Sequence, residues 1–431
     1  MADNRKLKLT MINHRPFHIV LAAGSCLALV ACVLACTLGS VSFSPDDRQL
    51  LYPAFDLQNG SPSIALYDRI TGRSEQIFSG VMAHVEKSDK DLVLMRAEWL
   101  PDGKHILILQ FPDKEMPSLI VVPHGVNEPV RHILFSGTDG AGEFKNSGDK
   151  NLQPFFPLAL AANQVLINGE HHLYRVDCLS GSVLVSTNED NPFVLPAGDG
   201  KTIVGIRNLL GKDTNAPVVF GIVDPETLVF TPQLTISTNL CKDSWPHYDP
   251  KNGEIVCISE DSTNRPQQLF IYKNAVEKFS RRLTRDNVKQ LVISPDLSLS
   301  SKKDRVFTAY MSQTKGQTNV EIGLVEIPLN ENPLRFTPLF QMPADENTNQ
   351  PSSNSKPEDG MFAYFPSALS HDGRTWAMSS SSVALMARST KNMNSLRPED
   401  CALYLVQVDG SPRKVTKVPI ALPKEKIERD Q

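Results

Sequence analysis

The sequence is short of the patterns that announce catalysis. Nowhere in its 431 residues is there a Gly-x-Ser-x-Gly nucleophile elbow, a phosphate-binding P-loop or a His-Glu-x-x-His helix, which disfavours serine-hydrolase, nucleotide-hydrolase and zincin chemistry. Its 7 cysteines include no Cys-x-x-Cys pair, which argues against a structural zinc site. The formal net charge of −4 lacks the basic surplus expected of a nucleic-acid binder. Long helical patterns are scarce, whereas 31 Pro and 24 Gly lean towards many short strands joined by turns. Cys26, Cys32 and Cys36 fall in an apolar N-terminal stretch, leaving Cys178, Cys241, Cys257 and Cys401. Those four allow three disulfide pairings, none forced by spacing. Cys257, inside the run Glu254-Ile-Val-Cys-Ile258, reads as a buried thiol.

The N-terminus reads as an address. Residues 1–16 carry Arg5, Lys6, Lys8 and Arg15 against Asp3, and Phe17 to Leu38 then runs without a formally charged residue. Such a segment would span roughly 33 Å as a helix, enough for a hydrocarbon core. The basic flank leaves the N-terminus in the cytoplasm and everything after Leu38 outside. An uncleaved anchor, a cleaved signal peptide and a lipoprotein signal all fit. Leu29-Val-Ala-Cys32 resembles a lipobox, which makes Cys32 the candidate lipidation site, with Val33-Leu-Ala-Cys36 a poorer copy. Each reading exports the rest of the chain.

Beyond residue 40 a two-part unit recurs. Its first half is an apolar strand, a Pro-Asp-Gly-type turn and a second apolar strand, as in Val41-Ser-Phe-Ser-Pro45-Asp46-Asp47 and Ala97-Glu-Trp-Leu-Pro101-Asp102-Gly103. Pro246 to Gly253 and Ala368 to Ala377 repeat it. Pro presets φ, Asp bonds back to following amides, and Gly accepts the positive φ of the turn. The second half is a strand ending in an aspartate turn, as in Ile64–Gly72, His172–Gly181, Val219–Thr227, Gln268–Tyr272 and Leu403–Gly410. First halves start near Val41, Ala97, Leu158, Val194, Ser244, Val292 and Ala368. Blade three is placed by Gln164–Ile167 and Leu173-Tyr174, blade four by Gly198-Asp199-Gly200-Lys201, and blade six by Ser294-Pro295-Asp296 with an insertion before Arg305. The pattern predicts an all-β fold: one β-propeller over residues 41–418 with about seven four-stranded blades, six or eight remaining open, after a single N-terminal hydrophobic helix over residues 17–38. Residues 137–153, 342–360 and 379–400 read as polar insertions, and 419–431 as a charged tail.

The unit Trp245-Pro246…Asp249-Pro250…Gly253…Gln267-Gln268-Leu269-Phe270…Arg282-Leu283-Thr284 resembles the TolB-type, or WD40-like, propeller repeat. The likeness is good in blade five, fair in one, two and seven, and weak in the others. WD40 blades end in Trp-Asp, and Tyr67-Asp68 is the nearest echo. The small α/β domain that precedes the propeller in TolB has no room between Leu38 and Val41. The resemblance therefore implies a fold and an exported setting.

Few residues invite a chemical role. His171-His172 could bind a metal, but neighbours on a strand face opposite ways, and a solvated pair at a turn is the simpler reading. Glu260-Asp261 and Asp46-Asp47 offer two or three carboxylates each, short of the six to eight oxygens calcium takes. Trp99, Trp245 and Trp376 fit packing between blades. The sequence thus assigns no catalytic residue, cofactor or metal. It favours a membrane-tethered, non-catalytic module binding an envelope protein, peptide or cell-wall component, with no nucleic-acid partner. A propeller hydrolase or lyase with carboxylates or a metal in the central funnel is the alternative.

Overall fold

The computed structural model describes the chain from residue 41 to 419 in segments. Outside the description lie residues 1–40, 56–61, 80–93, 112–117, 127, 135–157, 161–162, 169–171, 179, 186–191, 198–201, 209–215, 237–245, 260–266, 295–296, 318, 344–366, 381–401 and 420–431. The basic n-region, the anchor or signal segment with Cys32, the polar insertions other than Ser379 and Ser380 and residues 342–343, and the tail beyond Pro419 fall there. Among the described residues no helix is long and apolar enough to cross a membrane.

Seven antiparallel sheets follow one another along the chain, and among the described residues no sheet borrows a strand from another part of it. They are the blades of a seven-bladed β-propeller, and six of them have four strands. Their first strands begin at Ser42, Leu94, Leu158, Phe193, His247, Val288 and Ser367, within a few residues of the starts read from the turns. Blade three forms on the two segments that placed it, Gln164–Asn168 and Leu173–Asp177. The Gly198–Lys201 turn of blade four lies outside the description.

Blade six corrects the sequence reading. Ser294-Pro295-Asp296 was expected to turn the chain between its first two strands. Instead Val288–Ile293 and Ser298–Leu299 both pair with the long strand Arg305–Thr314. Residues 295–296 themselves lie outside the described residues, and a turn follows after Leu299, where the Lys303 amide donates to Ser300 O over 2.8 Å.

The second strand of each blade is sandwiched between two neighbours, so both of its faces are buried. The pattern His105-Ile-Leu-Ile-Leu109 shows how: Ile106 and Ile108 pack into blade one, and Leu107 and Leu109 into blade three. Likewise Ile255 and Cys257 face blade four, while Val256 and Ile258 face blade six. Period-2 alternation thus serves two cores, which is why these strands read as unbroken apolar runs. The fourth strand of blade five, Val276–Arg282, has an open outer edge and is largely polar and exposed. Seven apolar clusters fill the seven interfaces between consecutive blades, including the one between the last and the first.

Blade four carries a backbone constraint of its own. Gly205 and Gly221 face each other across its second and third strands. A Cβ at either would stand 2.7 or 2.6 Å from the Phe230 ring. Both glycines are there to seat that ring, over which the Arg207 guanidinium also lies, at 4.5 Å from the centroid.

Candidate functional site

The turns joining first to second and third to fourth strands gather at one end of the propeller, and most of its chemistry-bearing side chains sit there. Their aspartates are occupied. Asp46 Oδ1 accepts from the Ser44 hydroxyl at 2.6 Å and the Arg48 amide at 3.1 Å, and these bonds hold its carboxyl below the usual range. Burial would raise Asp372, but the Ser370 hydroxyl and Arg374 amide outweigh it and the net shift is downward. Asp68 and Asp224 each accept two amides of the following turn, and both carboxyls are lowered, through Thr71 and Thr227 first. These are Asx turns, in which the carboxylate replaces a backbone acceptor.

The last turn position carries the difference between blades. Gly103 and Gly373 occupy it at φ 65° and 70°, their amides bonding back three residues to Leu100 and Ser370. Asp47 and Lys303 hold the same bond at φ 57° and 54°, a region costing a residue with a Cβ about 1–2 kcal/mol. The position always faces the preceding blade: Gly103 abuts Pro45, and Gly373 abuts Ser301. A side chain placed there reaches across. Lys303 pairs with Asp249 of blade five. Asp47 accepts the His371 and Asp372 amides of blade seven at 2.9 and 2.8 Å, and its Oδ1 lies 2.8 Å from His371 Nδ1. Among the described residues no strand pairing joins these two blades. Arg69 adds to the clasp, donating to Asp47 O at 2.5 Å and Thr375 Oγ1 at 2.7 Å. The Thr375 oxygen also accepts from Gln407 at 3.1 Å.

Beside the clasp an open cleft of about 400 Å³ lies between blades seven and one. Arg48, Arg69 and Lys414 bring positive charge to its lining, and Tyr67, Ile70 and Leu405 bring apolar surface. Asp47 is the lining carboxylate, and the blade-seven amides hold it. Arg48 lies 3.3 Å from Asp68 with its side chain 52% exposed, a loose surface pair. Arg69 and Lys414 have no ion pair among the described residues. A cleft with unbalanced charge and one low-dielectric wall concentrates counter-charged solutes.

The residues singled out from the sequence are dispersed. Trp99 packs between blades one and two, and Trp376 between six and seven. Trp245, Glu260, Asp261 and His171 lie outside the described residues. His172 is buried rather than solvated, its ring 6.5 Å from Tyr174, immediately before the third strand of blade three, Leu173–Asp177. Cys178 and Cys257 are buried thiols in separate interfaces, and burial pushes Cys178 up to about 12. Among the described residues no three acidic, histidine or cysteine side chains form a metal cluster. His105 does sit between Asp102 at 2.6 Å and Glu128 at 3.3 Å, but Asp102 also accepts the Lys104 amide of its own turn. Sequence reading missed Arg48, Arg69 and Lys414. The available signal was the acid at position 47, where a turn glycine would serve.

No protein-family model matches the chain, and no curated protein does. Among solved structures it is similar to TolB from Acinetobacter baumannii, at 18% identity over 55% of this chain and 51% of that one, with a TM-score of 0.33. The chain thus spans about half of that TolB, and 39% of a prolyl oligopeptidase B from Galerina marginata, which it matches at 11% identity over 65% of its own length with a TM-score of 0.37. It is also similar to an oligogalacturonate lyase in complex with manganese, at 13% identity over 87% and 75% of the two chains with a TM-score of 0.35.

Proposed function

We propose that the protein is an exported, membrane-associated propeller that works as a non-catalytic binding module. The observation that carries this reading is the fate of the carboxylates at the turn end. Asp46, Asp68, Asp224 and Asp372 are bound by their own turns and held ionised, so they act as scaffold rather than as acid and base. General acid–base work needs groups poised near the operating pH, and all four are shifted the other way. What this end displays is a rigid, cross-tied surface. The basic segment and apolar run at residues 5–38 support export with the propeller outside.

Photo-crosslinking in bacterial spheroplasts tests both parts. The full chain carries a photoreactive residue in turn at Asn208, Lys273, Asn330 or Lys414. External protease should degrade the propeller, and at least one position should give a discrete, saturable adduct with an envelope component. A protease-protected chain, or adducts that never saturate at any position, would contradict the reading.

A further inference from the structure

The cleft between the last and first blades is unlike the rest of the turn end. At three other junctions a cation binds across to the next blade. Arg175 donates to Pro225 O and pairs with Glu226 at 2.7 Å, Arg281 donates to Asn330 O and Asn332 O, and Arg413 pairs with the buried Glu326. Lys303 pairs with Asp249. Each of these ties one blade to the next. In the cleft, Lys414 is exposed with no carboxylate partner among the described residues, and Arg48 holds Asp68 only loosely. Arg69 donates to Asp47 O and Thr375 Oγ1, and its charge also acts on the Asp372 carboxyl of blade seven. Ile70, 73% exposed, and Leu405 and Tyr67 add apolar wall beside these charges. Gln407 and Thr416 complete the lining with uncharged polar groups.

We infer that this cleft binds an acidic ligand: a carboxylate or phosphate carried on an aliphatic or aromatic body. This rests on the binding-module reading and gives it a site and a ligand class. The charges would take the acid group and the Ile70–Leu405 wall its apolar part. The volume of about 400 Å³ is within the usual range for small-molecule sites. Because the lining comes from both blade one and blade seven, an occupant also bridges a junction that no strand pairing among the described residues closes. Binding to the folded form alone raises the melting temperature.

The test is calorimetric titration of the full chain at low salt with citrate, with inorganic phosphate, and with the capped peptide Glu-Leu-Glu-Phe. Its lysine counterpart Lys-Leu-Lys-Phe is the control. Peptide binding without citrate or phosphate binding would identify a side-chain carboxylate as the source, and the converse a free acid; either outcome supports the site. Lys414→Glu should weaken the bound probe about tenfold to hundredfold, the scale of losing a charged hydrogen bond. Lys414→Ala should weaken it less, and Lys278→Glu, on the outer strand of blade five, should leave it unchanged. The bound probe should raise the melting temperature of the wild type and not of Lys414→Glu. Absence of binding by all three acids, or equal loss in Lys278→Glu, would overturn the inference. Saturable envelope adducts persisting in Lys414→Glu spheroplasts would then show that the binding-module reading survives without this cleft.

Discussion

Two blade junctions show how the same fold is closed by different means. Blades three and four are consecutive in the chain, and a modest apolar cluster of Leu166, Leu173, Val194, Ile203, Val223 and Leu228 fills their interface. Asn168 Oδ1 accepting the Val194 amide at 3.3 Å, and Arg175 on Glu226, add polar ties. Blades seven and one are separated by the whole propeller, and no strand among the described residues is shared between them. Their interface is larger in its apolar residues, with Tyr52, Leu50, Ala377, Leu403 and Val418 among them. It also carries the Asp47 clasp at the turn tips. Chain connectivity keeps blades three and four at high effective concentration, whereas blades seven and one, far apart in sequence, meet through direct interactions alone among the described residues.

The sharpest way to break the comparison is to remove core on the closing side. Tyr52→Ala should destabilise by about 3–5 kcal/mol, as large buried aromatics do on truncation, and Leu173→Ala at the continuous junction by about 2–5 kcal/mol. Denaturant melts would measure both. The comparison predicts the distinguishing feature: unfolding of Tyr52→Ala starts at the terminal blades, and that of Leu173→Ala does not.

The clasp comes next in size. Asp47→Gly removes charged hydrogen bonds and relieves a positive φ, for a net loss of about 1 kcal/mol. The reverse change, Gly103→Asp, places a side chain at the same φ beside Pro45 with no amides to receive it. It should cost about 1–2 kcal/mol. A Gly103→Asp variant as stable as wild type would remove the reason for treating Asp47 as a clasp.

A smaller effect sharpens the comparison through pH. His247 is depressed from 6.5 to about 4, mainly by burial and then by Lys303. In the unfolded chain it binds a proton below about 6.5, while the folded chain resists until about 4. Stability contributed by the neutral form is therefore present above 6.5 and lost as pH falls from 6.5 towards 4. His247→Gln should flatten that window in melts at a series of pH values. The turn aspartates act lower, since their carboxyls are lowered from 3.8. Their contribution is present above 3.8 and disappears as pH falls through the folded values. The closing junction loses no support specific to His247, which belongs to blade five.

Turn chemistry made most of this fold legible in the sequence. Pro45-Asp46, Pro101-Asp102 and Asp372-Gly373 mark real turns, and the alternation in Ile106–Leu109 marks a strand buried on both sides. Blade six misled because Ser294-Pro295-Asp296 carries turn residues, yet the strands on either side of it pair with the same partner. His172 misled because a position immediately before a strand is compatible with burial as well as with solvation. The cleft was illegible for a different reason. Arg48, Arg69, Lys414 and Leu405 come from opposite ends of the chain, and only ring closure brings them together. Asp47 was visible as an acid, but its partner across the junction lies more than three hundred residues away.

Hydrogen exchange read by mass spectrometry on Asp47→Gly against wild type tests the closure account most directly. The account predicts that protection falls first in strands Gln49–Phe55 and Pro62–Asp68 of blade one and Thr375–Ser379 and Ala402–Gln407 of blade seven, while Gln164–Asn168 and Ile203–Arg207 keep theirs. Equal loss in all blades, or loss confined to blades three and four, would contradict it.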